Sequence, residues 1–111
     1  MANFPRPNGQ VRAPRVNLSH PKPVRLRVEG KHMQGMLLKV SLTGGLVEVG
    51  NPVLNGSFGE VVLDSASGPI RGLVEFLRPD RKSAAQGFRF VALEDEDHRR
   101  LSVMLQRMLP S

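Results

Sequence analysis

The chain has no cysteine, no tryptophan and no tyrosine. Without cysteine there is neither a disulfide framework nor a thiolate metal site, which fits a reducing compartment. Five phenylalanines are the only benzene rings, and most of them fall in alternating apolar runs. Few rings therefore remain as stacking platforms for single-stranded nucleic acid. Nowhere do about 18 apolar residues run together, and the opening Met1-Ala2-Asn3-Phe4-Pro5-Arg6-Pro7 has no apolar h-region. Neither membrane insertion nor secretion is signalled, so the expected location is the cytoplasm. His20, His32 and His98 are scattered, with no nearby acidic ligand set, and no metal site is expected. No serine lies in a G-x-S-x-G elbow, and Asp64 and Glu75 fall on separate predicted strands. An enzyme is not expected.

What is present suits one folded domain. The chain has 111 residues, and 40% of them are hydrophobic, too many for a disordered polymer. The formal charge is +6, and its placement says more than its size. Arg6, Arg12, Arg15, Lys22, Arg25, Arg27 and Lys31 face a single acid, Glu29, over the same stretch. Glu94-Asp95-Glu96-Asp97 lies far along the chain. Positive potential is concentrated toward one end, where a phosphate-bearing ligand would be drawn, although a charge of this size also serves solubility.

Residues 1–21 carry Pro5, Pro7, Pro14 and Pro21 with few regularly spaced apolar positions. Proline fixes φ and removes a donor, so this stretch reads as a flexible basic arm without helix or ladder. Alternation then begins. Val24, Leu26 and Val28 face one way and Arg25, Arg27 and Glu29 the other, the period of a half-buried strand. Gly30-Lys31 suits a turn. Further strands are read at Met36 to Ser41, Leu46 to Val49, Ser57 to Asp64, Pro69 to Arg78 and Gln86 to Leu93, separated by Gly, Asn and Pro signals. Six short strands without intervening helical patterns predict an antiparallel barrel or sandwich, and closure is favoured because it hides strand edges. The acidic run then opens a helix at the end where the dipole favours acids. Leu101, Met104, Leu105 and Met108 form its apolar stripe, placed either across the barrel mouth or against a partner. Residues 22–109 thus read as the barrel plus a C-terminal helix, a mainly β fold.

Two features carry candidate chemistry. Arg12 and Arg15 offer planar forks for phosphate and flat cations that stack on bases. Lys39-Val40-Ser41-Leu42-Thr43-Gly44-Gly45 is a strand-to-turn segment that can expose a hydroxyl and backbone N–H groups. Taken singly, arginines in such an arm are more often solvated charge, and a Gly-Gly pair is more often a hairpin turn.

Together these blocks resemble a PilZ domain. Arg12-Ala13-Pro14-Arg15-Val16, then Val24 to Val28, then Val40-Ser41-Leu42-Thr43-Gly44-Gly45-Leu46, then Gly87-Phe88-Arg89-Phe90-Val91-Ala92-Leu93, follow in the family's order over residues 12–109. The resemblance implies a six-stranded antiparallel PilZ-like β-barrel with a C-terminal α-helix. It also implies a bacterial second-messenger signalling role, commonly as a receptor for cyclic di-GMP. In the family, ligand binding rests on an R-x-x-x-R arm and a [D/N]-x-S-x-x-G turn. Arg15 fits the second arginine, while Arg12 stands one place after the first, which falls on Val11. Ser41 and Gly44 fit the turn, with Gly45 beside them, but Lys39 occupies the position of the carboxylate or amide. Lysine has three donors and no acceptor, so it cannot copy a contact that accepts from guanine.

The leading expectation is a non-enzymatic PilZ-type module that binds cyclic di-GMP with weakened affinity. Arg12 and Arg15 would hold phosphates, and Lys39, Ser41, Gly44 and Gly45 would shape the base site. Binding would be coupled to an unidentified bacterial protein partner controlling motility, pili or exopolysaccharide. Second stands a degenerate adaptor that ignores nucleotide. Third stands a basic barrel that binds RNA or DNA through phosphate neutralisation.

Overall fold

A computed structural model describes residues 16–80 and 82–108 of the protein. The elements are β1 (Val16–Val28), β2 (Lys31–Val40), β3 (Gly44–Val49), β4 (Phe58–Ser65), β5 (Gly68–Pro79), β6 (Ala85–Ala92) and α1 (Asp95–Met108). All strand pairs are antiparallel, and the sheet closes in the order β1-β2-β3-β6-β5-β4. Closure rests on β1 and β4, where Arg25 to Val28 pair with Val62 to Gly59. The six-stranded barrel with one C-terminal helix is the fold expected above.

Period-two alternation explains the core. Val24, Leu26 and Val28 point inward from β1, Val61 and Leu63 from β4, and Ile70, Val74 and Phe76 from β5. Leu101, Met104 and Leu105 of α1 join the same cluster, and Met108 packs against it. The apolar stripe of the helix is therefore spent inside this chain. Two polar contacts fix where it lies. The Asp97 carboxylate accepts the Arg71 N–H at 2.9 Å, and Arg100 Nη1 donates to the Pro69 carbonyl at 3.0 Å.

The fold departs from the sequence reading in three places besides the start of β2, which lies at Lys31, five residues before the expected Met36. First, β1 begins at Val16, six residues before the expected strand start at Lys22; residues 1–15 lie outside the described residues. Pro21 had argued against a ladder there, whereas Pro23 fell within the predicted strand. Both are accommodated because β1 pairs with β4 only from Arg25 onward, and because the β1–β2 register shifts between Asn17 and Lys22. A proline is tolerated at such a one-sided, bulged stretch. Second, the first hairpin turns at Glu29-Gly30, with φ of 52° and 79°, the two left-handed residues that a right-twisted two-residue hairpin demands.

Third, the break between β3 and β4 is partly buried. Val53 is inside, held by Gln86, which is 1% exposed. Gln86 Oε1 accepts the Val53 N–H at 2.8 Å, and Nε2 donates to the carbonyls of Val53 and Leu77 at 2.5 and 2.9 Å. This buried amide is fully satisfied, as burial requires.

Candidate functional site

The turn between β2 and β3 is built by its own serine. Ser41 donates its N–H to the Gly44 carbonyl at 2.7 Å, closing the turn. Its hydroxyl oxygen accepts the Thr43 N–H at 3.1 Å, lies 3.0 Å from Thr43 Oγ1 and donates to the Gly44 carbonyl at 3.4 Å. Ser41 is 1% exposed. Its hydroxyl is engaged in holding the bend rather than presented outward. The Thr43 carbonyl accepts the Phe90 N–H at 2.8 Å, which ties the turn to β6.

Gly44 and Gly45 also have a packing reason. Gly44 pairs with Arg89 and Gly45 with Phe88 on β6. A side chain at Gly44 would strike the Phe88 carbonyl and come to 2.9 Å from the Arg89 Cα. One at Gly45 would meet the Lys39 carbonyl at 2.5 Å and the Phe88 ring at 2.9 Å. Both glycines let β3 lie closely between β2 and β6.

Lys39 is half-buried and outward-facing, since the adjacent Val40 is in the core. It stands opposite Asn17 of β1 on one side and Leu46 of β3 on the other. Among the described residues no carboxylate pairs with it. Arg12 and Arg15 lie outside the described residues. The described chain opens at Val16, whose partner is Val40, so the strand that follows the arm runs beside the Ser41 turn.

Two residues flank this turn that sequence reasoning did not single out. Asn17 faces Lys39, and Arg89, opposite Gly44, forms an ion pair with Glu75 at 2.6 Å. Arg89 was legible as an outward position on a predicted strand. Asn17 was not, because it fell inside the stretch read as arm. A hollow of about 470 Å³ opens at the β1 bulge, lined by Val16, Asn17, Leu18, His20, Pro21, Lys22, Pro23 and Met108. A second, of about 210 Å³, lies farther along β1 among Arg25, Arg27, His32, Glu60 and Arg71.

A closed six-stranded antiparallel barrel with one C-terminal helix, and a glycine-bearing turn beside the start of β1, defines a small class of domain. The PilZ domain family model matches residues 9–107, and the chain belongs to that family. The family is one of non-catalytic binding domains. A search of curated protein sequences finds no match. Among solved structures, the PilZ domain of CeSA from a cellulose synthesizing bacterium superposes with a TM-score of 0.67 at 9% identity, covering 86% of this chain and 98% of that one. The Bacillus subtilis inhibitor of motility MotI/DgrA gives 0.67 at 16% identity, over 86% of this chain and 51% of that one. The PilZ domain of Escherichia coli YcgR, solved with c-di-GMP, gives 0.68 at 15% identity, over 87% and 90%. At these identities the likeness shows the fold. Among the described residues no helix is long and apolar enough to cross a membrane.

Proposed function

We propose that this protein is a PilZ-type signalling module that binds cyclic di-GMP with reduced affinity and relays its presence to a protein partner in the control of motility, pili or exopolysaccharide. The observation that carries this reading is the Val16–Val40 pairing. Arg15 is joined directly to Val16, so its Cα lies about 3.8 Å from that of Val16, and Arg12 is within about four such links. Tethers of one and four links are short enough for an arm folded toward β2 to bring both guanidinium groups to the Ser41 turn. Cyclic di-GMP carries two phosphates and two guanines, which suit a basic arm closing over a turn. Ordering of the arm would be the differential contact that any switch requires. The likeness to a YcgR domain solved with this nucleotide, and to an inhibitor of motility, supports the same assignment.

Reduced affinity follows from Lys39. Losing one specific polar pairing to guanine costs on the order of 1–3 kcal/mol, roughly ten- to a hundredfold in affinity. Calorimetry on the full chain in moderate salt tests the proposal. Measurable heat with cyclic di-GMP is expected, diminished when Arg15 becomes alanine and increased by Lys39→Asp. No heat at high micromolar nucleotide would overturn it.

A second reading, a PilZ adaptor that works through proteins alone, has its own support. Ser41, Gly44 and Gly45 each have a structural task that needs no ligand. The outer face of β4, β5 and β6 also exposes Phe58, Leu73, Leu77 and Val91, more apolar surface than strand alternation requires. Under this reading a partner captured from a bacterial lysate is retained when the arm is deleted and is indifferent to nucleotide. Binding of RNA or DNA ranks third, and a gel-shift with random oligonucleotides at low salt separates it.

A further inference from the structure

We infer that Arg25 and Arg71 form a clamp for a phosphate monoester on the outer face of the barrel, at the seam where β1 closes onto β4. The clamp is separate from the nucleotide site proposed above and does not depend on it: β4 and β5 lie across the closed strand order from β3 and the Ser41 turn.

Strand register brings the two arginines together. Arg25 on β1 faces Val62 on β4, and Val62 faces Arg71 on β5. Residues so opposed share a face of the sheet. The flanking Leu26, Val61, Leu63 and Ile70 are in the core, so this row points outward. Two strand spacings put the arginine Cα atoms about 9–10 Å apart. Only the half-buried Val62 stands between them, and two long side chains can converge over it. A hollow of about 210 Å³ opens here, and its lining includes Arg25, Arg27, His32, Glu60, Val62 and Arg71.

The donors at this point are largely uncommitted. Among the described residues no carboxylate pairs with the Arg71 guanidinium; the Asp97 carboxylate accepts the Arg71 backbone N–H instead. Arg25 donates from Nη2 to Asp64 Oδ1 at 3.2 Å, with the two side chains 62% and 75% exposed. So exposed a pair is weak, and it leaves most of the five guanidinium N–H groups open. Glu60 lies 3.6 Å from Arg27 and offsets the charge at that end of the hollow, which directs an anion to the Arg25–Arg71 end. One guanidinium fork satisfies a carboxylate. A phosphate monoester, with three acceptor oxygens and close to two negative charges, engages both forks. The hollow is smaller than the roughly 300–1,000 Å³ of pockets that enclose whole ligands, so it takes the phosphate group rather than a nucleotide around it.

Nitrogen-15 NMR of the full chain, read at the arginine Nε–H groups in low salt at about pH 7.5, tests the inference. The probes are inorganic phosphate, the blocked tripeptide Gly-phosphoserine-Gly and its unphosphorylated form. Arg25 and Arg71 should shift together and saturate with a Kd of about 1–10 mM, and the unphosphorylated peptide should be silent. Arg25→Gln and Arg71→Gln should each weaken binding by about tenfold, whereas Arg107→Gln on α1 should leave it unchanged. Tighter binding of the phosphopeptide than of inorganic phosphate assigns the group to a phosphorylated protein partner; equal or weaker binding assigns it to a free anion. Shifts that fail to saturate, either seam variant binding as tightly as wild type, or an equal loss in Arg107→Gln would overturn the clamp and leave the nucleotide reading standing.

Discussion

Substituting alanine at two glycines of the same strand pair, Gly44 and Gly87, should give opposite results. At Gly44 the added methyl would lie 2.9 Å from the Arg89 Cα and closer still to the Phe88 carbonyl. The optimum for carbon contacts begins near 3.5 Å, so the overlap with Cα alone is about 0.6 Å. Both obstacles are backbone, and no rotamer relieves them. The β3–β6 ladder must open at Gly44–Arg89 and Gly45–Phe88. Overpacking of this kind costs about 1–3 kcal/mol, and a lost ladder hydrogen bond adds about 1. The expected total is about 3 kcal/mol. At Gly87 the methyl would meet Leu77 Cδ1 at 3.6 Å and the Gly45 carbonyl at 3.8 Å, ordinary contacts. Restricting the unfolded chain there should leave stability unchanged or raise it by up to about 1 kcal/mol. Urea unfolding followed by circular dichroism reads both. With m near 1–3 kcal/mol/M, Gly44→Ala should lower the midpoint by about 1–3 M. A Gly44→Ala midpoint equal to wild type, or a Gly87→Ala loss as large as that of Gly44→Ala, would refute the close-approach argument. The pair matters for function, because a ligand-binding defect in Gly44→Ala would otherwise be misread as a lost ligand contact.

Other perturbations follow from the same geometry. Gln86→Leu leaves the buried Val53 N–H and carbonyl without partners; a loss of about 2–4 kcal/mol is expected in urea melts, and a loss below about 1 would contradict the anchor. Glu29→Asn puts a residue more tolerant of positive φ ahead of Gly30 and should stabilise by about 0.5–1 kcal/mol, visible as a Tm rise of a few degrees. The Arg99 guanidinium, by its hydrogen bond and then its charge, holds the Glu96 carboxyl below its ordinary 4.5. A carboxyl depressed on folding contributes stability that is present above its unfolded value and is lost as pH falls through the folded one. Glu96 should therefore titrate below 4.5 by NMR and return toward that value in Arg99→Gln, and an unmoved titration would contradict the pairing.

Much of the barrel was legible because period-two alternation is a local signal. Val24, Leu26 and Val28 announced β1, and Ile70, Val74 and Phe76 announced β5, before any partner was known. Register was not legible. Both β1 and β2 shift register, at 18–21 and at Leu38, and each shift resets which residues share a face. The opposition of Asn17 and Lys39 is a product of those shifts. The packing task of Gly44 and Gly45 was hidden for a different reason. It is imposed by Phe88 and Arg89, on a strand about 40 residues away that inserts beside β3 out of chain order. The turn signal at Gly44-Gly45 was local, whereas the crowding is topological. Pro21 argued against a ladder on propensity alone, and the one-sided pairing of early β1 overrode it.

A nitrogen-15 NMR titration of the full chain with cyclic di-GMP probes the nucleotide site directly, since it reports occupancy and location at once. Shifts should concentrate at Val16, Asn17, Lys39 through Gly45, and Arg89, with the amides of Arg25, Arg27 and Arg71 unmoved. A spectrum unchanged at the Ser41 turn, or shifts confined to the Arg25–Arg71 hollow, would contradict it.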